Sequence, residues 1–303
     1  MDTNLEALLG DLHERIERNP ILAGLSLPKM ARPSVRYVTH RAPYGRIAMG
    51  ESRIGGVPDV PPGFQWPRWA PPKQRDDKFG QPWKPDRPTA MGFIAQIDLG
   101  AVPSLDDALP NSGWLYFFYD RYCEPWGFDP ADRGCCCVIY ENCDRSVLER
   151  AKPPGDADPE HLAHPCIVEA WPELTLPDDW PGIKYGTDAY DAYRRLCDEL
   201  TEGGGSTYHR LLGYPQLIQN PMELECQLAS NGVYCGSPEG YQSDRAKELE
   251  QGAADWSLLL QIDTDEEGPG WMWGDVGRVY FWVKGRKPRS HRFDDVWLIF
   301  QCS

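Results

Sequence analysis

The sequence predicts an α+β fold that is mainly β, with roll-like antiparallel sheets built from two pseudo-equivalent β units and a few flanking helices. Two observations lead to this prediction. A polar and apolar pattern occurs twice in the same order, and 29 Gly and 29 Pro divide the 303 residues into short elements, which favours strands and turns over long helices. Hydrophobic residues make up 41% of the chain, enough for a sizeable core.

The repeated pattern has three parts in each copy. The first copy has RIGGVPDV at residues 53–60, IAQID at 94–98 and NSGWLYFF at 111–118. The second has RLLGYPQL at residues 210–217, LLQID at 259–263 and DVGRVYFW at 275–282. The spacing from Gln96 to Asn111 is 15 residues, and that from Gln261 to Asp275 is 14. We therefore interpret the chain as two copies of one β-rich unit.

The pattern divides a single compact domain, residues 1–303, into four parts. We expect an N-terminal helix and lead-in at 1–30, a first β unit with an insert at 31–186, a helix and Gly-rich connection at 187–206, and a second β unit at 207–303. Apolar residues at helical spacing predict an amphipathic helix at 3–18, docked as a lid on the β core. Thr187 begins a second helix at 188–201, which Gly203 to Ser206 terminate, and a third helix follows Ser243.

Strands are predicted at residues 32–60, 90–98, 113–120, 135–140 and 166–176. The apolar run at 296–302 predicts a central strand buried on both faces. Between the first two strand regions lies the Pro/Trp loop, residues 61–88, with eight prolines and with Trp66, Trp69 and Trp83. Proline removes backbone donors, so the loop is expected to be irregular and pinned by its aromatics. It either lines a binding cleft or covers a sheet edge.

The charge excludes several classes of partner. The net charge is −15, which opposes binding to nucleic acid or to anionic membrane surfaces and is compatible with a basic protein partner. No apolar run of membrane-spanning length and no secretory signal is visible. Ten cysteines in such a chain are expected to be reduced thiols. These features predict a soluble protein of the cytoplasm.

Several ordered motifs resemble those of a known family. They are GGVP at residues 55–58, WP at 66–67, FIAQIDL at 93–99, GWLYFF at 113–118, HRLLGYP at 209–215, LLQID at 259–263 and WGDVGRVYFW at 273–282. Over residues 50–302 the chain resembles the YwqG-like proteins, a bacterial domain-of-unknown-function family. The resemblance implies a mainly β, roll-like α+β fold in one compact unit, and it implies no activity.

The candidate ligand-binding residues are Arg53, Trp66, His209, Arg210, Gln261, Trp273 and Asp275. Arg53 and Arg210 occupy equivalent positions and could together hold an anion between the units, because guanidinium groups suit carboxylate or phosphate. The alternative is that each pairs with its own unit's Asp and pins a turn, and duplication favours this structural role. Positions at which the copies differ, around His209, Trp273 and Asp275, are then the better functional candidates.

Two metal sites are weakly indicated. Cys135, Cys137, Cys143, His161 and His164 carry the donor types that zinc prefers, but the usual paired spacing is missing. Small thiols buried in a strand are the commoner outcome. The acidic run at residues 263–268 has alternating carboxylates before a glycine, but it lacks the order of a calcium loop. A solvated acidic turn is the better interpretation, and we expect no cofactor.

Two functions from different classes fit the sequence. The first is a non-enzymatic binding protein that recognises a basic protein partner through an acidic, aromatic surface, as an immunity or antitoxin-like inhibitor or a regulator would. The alternative is a small-molecule or metal-dependent enzyme with a site between the two repeats, in which His209 near Asp275 or Asp263 acts as a general base. No recognised catalytic motif supports the enzyme.

Overall fold

The fold is mainly β, as the sequence predicts. A computed structural model describes residues 3–23, 25, 27–103, 108–158, 161–178, 183–201, 207–285 and 293–303. Its helices are α1 (Thr3–Glu17), α2 (Leu27–Met30), α3 (Asp188–Leu200), α4 (Glu223–Ser230), α5 (Pro238–Gln242) and α6 (Asp244–Leu249). The Gly-rich connection predicted at residues 203–206 lies outside the described residues.

The strands are numbered in chain order. They are β1 (Arg32–Arg41), β2 (Arg53–Ile54), β3 (Asp59–Val60), β4 (Arg68–Trp69), β5 (Arg75–Asp76), β6 (Pro82–Trp83), β7 (Thr89–Ala90), β8 (Gly92–Asp98), β9 (Trp114–Tyr119), β10 (Cys136–Glu141), β11 (Glu149–Arg150), β12 (Cys166–Thr175), β13 (His209–Leu212), β14 (Trp256–Asp263), β15 (Arg278–Lys284) and β16 (Val296–Gln301). Three small two-stranded sheets pair β11 with β3, β4 with β7 and β5 with β6.

One antiparallel sheet of ten strands dominates the molecule. Its order is β10-β9-β8-β2-β12-β1-β13-β14-β15-β16. The two end strands, β10 and β16, approach each other, so the sheet rolls into a nearly closed barrel. Inside the roll, the rings of Phe117 and Phe281 meet edge to face at 5.3 Å. The core therefore fills the space between the two halves of the sheet.

The two halves of the sheet use the same pairing. Arg53 lies opposite Gln96 and Arg210 opposite Gln261. In the next strand pair, the two glutamines lie opposite Tyr116 and Tyr280. Each of these pairs also contains one β-bulge, at residues 93–95 and at 258–260. Strands β2, β8, β9 and β10 thus correspond in position and register to β13, β14, β15 and β16.

The centre of the sheet joins the halves through its two longest strands. β1 and β12 pair over ten residues, from Arg32 opposite Thr175 to Arg41 opposite Cys166. On its other side, β12 pairs with β2, and β1 pairs with β13. The first half therefore joins the central pair through β2 and β12, and the second half joins it through β13 and β1. The boundary between the two predicted units runs between β1 and β13.

Helices cover the outside of the sheet. α1 and α3 contact β12, where Leu12 and Ile16 of the predicted amphipathic face are buried with Tyr193. α4 covers the aromatic outer face of β14 and β16. The sequence analysis missed α4, whose first turn has no side-chain cap. No helix in the described ranges has both the length and the hydropathy needed to cross a bilayer.

The prediction that the last strand is central was wrong, although its buried faces are as expected. β16 is last in the strand order. Its outer edge is sealed by the chain at residues 126–127, since the Phe300 N–H donates to Trp126 O at 3.0 Å and the Trp297 Nε1–H donates to Gly127 O at 2.7 Å. A Cβ on Gly127 would lie 1.9 Å from Leu298 O. Covering an edge in this way prevents pairing with another chain.

Two buried glutamine amides tie loops to the sheet. The Oε1 of Gln96 accepts from Asp59 N at 2.6 Å, and its Nε2 donates to Glu51 O at 3.0 Å. Gln261 repeats this arrangement, accepting from Gln216 N at 2.9 Å and donating to Tyr208 O at 2.6 Å. Both side chains are fully buried. Each amide satisfies one backbone donor and one backbone acceptor.

Gln261→Leu is expected to destabilise the fold by about 2–4 kcal/mol, because it leaves one backbone donor and one acceptor without their partner at nearly unchanged volume. Urea unfolding at equilibrium measures this loss. The control is Gln65→Leu, which changes an exposed glutamine and is expected to stay within about 0.5 kcal/mol of the wild type. Equal stability of the two variants would contradict the structural role.

Candidate functional site

Arg53 forms a buried ion pair within its own half. Its Nη2 lies 2.5 Å from Asp59 Oδ2, and both side chains are fully buried. Arg150 completes the pair from the other side, with Nε 2.8 Å from Asp59 Oδ1. Burial acts to raise the pKa of Asp59, but Arg150, Arg53 and the Gly50 N–H outweigh it and hold that pKa below its usual value. Arg53 is thus enclosed where no solvent-borne ligand reaches it.

Arg210 uses a different partner. Its Nε donates to Glu173 Oε1 at 2.5 Å, and its Nη1 donates to Tyr214 O at 3.0 Å. Strands β2 and β13 are three strand spacings apart in the sheet, about 14 Å along its surface. The two arginines therefore do not converge on one small anion. Arg53 pins its own half through Asp59, whereas Arg210 ties the second half to Glu173 on β12, which belongs to the first predicted unit. The expected pairing of each arginine with the Asp of its own repeat, Asp98 or Asp263, is therefore wrong.

His209 does not contact Asp275 in the described chain. Its Nδ1 accepts from Asp263 N at 3.2 Å, and its Nε2 lies 3.1 Å from Asp265 Oδ2. This arrangement places the ring proton on Nε2, which donates to the carboxylate. The His209 side chain is 0% exposed, whereas Asp275 is exposed. A general base must reach its substrate, and the buried ring of His209 is not accessible to a ligand from solvent.

Asp265 is the centre of a tightly bonded turn. Its Oδ2 also accepts from Thr39 Oγ1 at 2.5 Å, and its Oδ1 accepts from Gly268 N at 2.7 Å. Burial acts to raise its pKa, but hydrogen bonds from His209, Thr39 and Gly268 hold the pKa below the usual value. The expectation of a solvated acidic turn was therefore wrong for Asp263 and Asp265, which are 4% and 5% exposed.

The remaining candidates are scattered. Gln261 is the loop-binding amide already described, and the Nε1–H of buried Trp273 donates to Asp263 O at 3.1 Å. Trp66 is half-buried and donates to Met91 O at 2.8 Å. Asp275 accepts from Ser303 N through its backbone oxygen at 3.1 Å. His209 and Trp273 thus meet at the buried backbone of Asp263, and Arg210 lies opposite Gln261. Trp66 and Asp275 form no described contact with this group, and no accessible surface joins all the candidates.

The cysteine and histidine candidates for a metal site do not come together in the described structure. In the described parts of the chain, no three His, Cys, Asp or Glu side chains are placed to hold a metal ion. All ten cysteines are free thiols. His161 packs edge to face on Tyr122 at 4.6 Å, and its burial, followed by the charges of Lys78 and Arg121, lowers its pKa to about 4. The region of Cys135, Cys137, Cys143 and His164 thus presents no metal centre.

A different surface has the geometry of a binding site. A cleft of about 410 Å³ lies between the Pro/Trp loop at residues 73–78, the turns at 123–132, and the loop end at Gly274 beside Phe300. We call it the Trp126 cleft. Part of the Pro/Trp loop therefore lines a cleft, which is one of the two roles considered for it from the sequence. Elsewhere the loop is pinned as expected, since Trp83 stacks on Tyr122 at 5.0 Å.

The charges in the Trp126 cleft leave an acidic excess. Its three cations each have a carboxylate partner: Lys73 with Asp129 at 2.7 Å, Arg75 with Asp132 at 2.6 Å and Lys78 with Glu124 at 3.9 Å. Asp76 and Asp77 also line the cleft. Asp77 accepts two backbone N–H groups of its own turn. Asp76 is exposed and faces solvent with its charge available.

Trp126 is an exposed aromatic side chain in the wall of the cleft. Trp126 is 40% exposed, and its ring stacks on Phe300 with centroids 4.9 Å apart and an interplanar angle of 30°. Met272 and Val276, two residues before and after Gly274 of the cleft wall, are also exposed. Hydrogen bonds of the 126–127 segment to β16 fix the backbone here. Trp126 thus offers a fixed, exposed indole in the same cleft as Asp76, which has no cationic partner among the described residues. This combination suits a cationic ligand group.

The sequence analysis missed the Trp126 cleft because its walls are far apart in the chain. The rolling of the sheet brings residues near 75, 126 and 300 together. Asp76 and Trp126 belong to no motif, and no local spacing links them. The sequence signals for such a surface were the Pro/Trp loop and the excess of acidic residues and aromatics over the whole chain.

A comparison with known families places the chain in a domain family. A family model described as Domain of unknown function (DUF1963) matches residues 52–302. The chain belongs to this family. The match covers strands β2 to β16 and the residues that line the Trp126 cleft, and it leaves out α1, α2 and β1. No curated protein matches the chain at a significant level.

Asp265→Asn is expected to destabilise the DUF1963 domain by about 1–3 kcal/mol near neutral pH, because the amide presents a donor where three donors converge. The folded pKa of Asp265 lies below its unfolded value. The stabilisation of the fold by the Asp265 carboxylate is therefore fully present above the unfolded pKa and is lost as pH falls through the folded pKa.

Denaturant titrations at neutral and at strongly acidic pH test this pH dependence, and the gap between wild type and Asp265→Asn should narrow at the acidic end. The matched control is Glu267→Gln, an exposed carboxylate in the same turn, which should behave as wild type. A gap that stays constant with pH would show that the carboxylate charge is not what stabilises the turn.

Proposed function

We propose that this protein is a binding protein that recognises a basic segment of a protein partner through the Trp126 cleft. The observation that carries the proposal is the combination of an exposed indole, held on Phe300, with an acidic excess from Asp76 and Asp77. A lysine or arginine side chain can place its cation over the ring while its charge faces the carboxylates.

The charge of the whole chain supports the same class of partner. With a net charge of −15, the surface attracts a basic protein and increases the rate of encounter at low salt. One concrete form of the proposal is an immunity or antitoxin-like inhibitor whose acidic surface covers a basic active site. A regulator of a basic protein would use the same contacts.

The alternative, an enzyme with its site between the two repeats, has weaker support. Phe117 and Phe281 fill the interior between the halves, and buried His209 is committed to Asp263 and Asp265. The cleft beside Arg210, which lies between the end of β12, α3 and the turn after β13, measures about 50 Å³. This is far below the few hundred Å³ typical of ligand sites.

Two narrower expectations belong to the same proposal. Ten free thiols support a reducing compartment, so we place the protein in the cytoplasm. The ordered motifs at residues 93–99, 113–118 and 273–282 support membership of the YwqG-like group.

A nona-arginine peptide tests the Trp126 cleft, with calorimetry at low and moderate ionic strength as the measurement. Trp126→Ala is expected to weaken binding by about tenfold, as loss of a cation–π contact of about 1–2 kcal/mol implies. Asp76→Asn should weaken it by less, about two- to fivefold, because an exposed charge is screened by water and salt.

The matched control is Trp171→Ala, which removes another exposed tryptophan on β12, away from the cleft. It should bind the peptide as the wild type does. Equal weakening by Trp126→Ala and Trp171→Ala would show that the peptide binds the acidic surface diffusely, and absence of binding at both ionic strengths would refute the proposal.

A further inference from the structure

A second cleft lies on the other side of Phe128. It has a volume of about 620 Å³ and is bounded by α4, the start of α5, the turn at residues 219–221 and the end of β16. Glu225, Cys235 and Tyr241 line it together with several side-chain amides. We call it the Glu225 cleft. Its size falls in the range of sites for small organic molecules.

The walls of the Glu225 cleft are firmly placed. The Oε1 of Gln301 accepts from the backbone N–H groups of Ile218 and Gln219, at 3.3 Å and 3.1 Å. Its Nε2 donates to Asn220 O at 2.8 Å, and Gln219 Nε2 donates to Cys302 O at 2.8 Å. These bonds anchor the 218–220 turn to β16, so the cleft is formed before any ligand binds.

Glu225 is the single charged residue among the described residues that line this cleft. It lies on α4 and is half-buried. Its carboxyl has neither a hydrogen-bond donor nor a cationic partner within the described chain. A carboxylate withdrawn from water without a partner is unfavourable. A bound cation would supply the missing counter-charge.

The lining also limits the ligand's chemistry. The described residues of the wall include no lysine, arginine or histidine. The carboxylate or phosphate of an anionic or zwitterionic ligand would therefore meet no counter-charge from them. Tyr241 and the amides offer polar contacts, and Leu224 and Phe128 offer apolar ones. This combination suits an amine with an alkyl body and no acidic group.

We propose that the Glu225 cleft binds a small organic cation, a protonated amine without an acidic group, with the Glu225 carboxylate as its counter-ion. This goes beyond the recognition of a basic protein at the Trp126 cleft and does not depend on it. The two clefts share Phe128 but differ in their charged residues, since Asp76 and Trp126 do not line the Glu225 cleft.

The site should respond to pH near neutrality. Burial raises the pKa of Glu225 to about 7. The titratable groups that interact with it are Cys226, Cys235 and Tyr241. Burial raises the pKa of each of these, that of Cys235 to about 11, so all three stay neutral while Glu225 titrates. Amine affinity should rise with pH and weaken about tenfold one pH unit below the pKa of Glu225.

Three four-carbon probes of nearly equal shape test the proposal: butylamine, butanol and butyrate. Binding is followed by calorimetry and by the rise in melting temperature. Butylamine should bind saturably with a dissociation constant of about millimolar, as expected for so small a ligand, and the neutral and anionic probes should bind at least tenfold more weakly. Comparable binding of butylamine and butanol would overturn the proposal.

The variants are Glu225→Gln and Glu223→Gln, both half-buried carboxylates on α4, of which Glu225 alone lines the cleft. Glu225→Gln should lose at least tenfold in butylamine affinity and keep its binding of nona-arginine, whereas Glu223→Gln should bind butylamine normally. Retained affinity in Glu225→Gln refutes the assignment. The pH profile of the wild type tests the same carboxylate without any variant, and a flat profile also refutes it.

Discussion

The architecture depends on two buried amides that each satisfy a pair of backbone groups. Gln96 and Gln261 occupy equivalent positions on the corresponding strands β8 and β14, and they bind the loops before and after β2 and β13. Tyr116 and Tyr280 donate to the same loops, at Asp59 O and Gln216 O. Because a buried backbone group without a partner is costly, these side chains set where each loop can lie.

Buried ion pairs also occupy polar side chains inside the fold, but the partners in these pairs differ between the two halves. Asp59 receives Arg53 and Arg150, whereas Arg210 pairs with Glu173 of β12. A carboxylate deprived of its guanidinium partner would be buried with its charge uncompensated. Most of the polar residues that the sequence repeats are therefore occupied within the fold. The surfaces that remain open for ligands are formed by residues that the sequence does not repeat.

The two clefts form where covering segments of the chain pack against the sheet. Segment 126–127 seals the edge of β16, and that same contact holds the Trp126 ring over Phe300. Gln301, at the end of β16, anchors the turn that forms one wall of the Glu225 cleft. The edge strand β16 thus supports both clefts, and Phe128 lies between them.

Local pattern was sufficient for the fold class, the amphipathic α1, the capped α3 and α6, and the correspondence of Gln96 with Gln261. These features depend on neighbours within a few residues or on a repeated order, which a sequence displays directly. The partner of His209, the position of β16 and both clefts were decided only by tertiary structure. Each depends on segments far apart in the chain, such as residues 126 and 300, which meet only when the ten-stranded sheet rolls up.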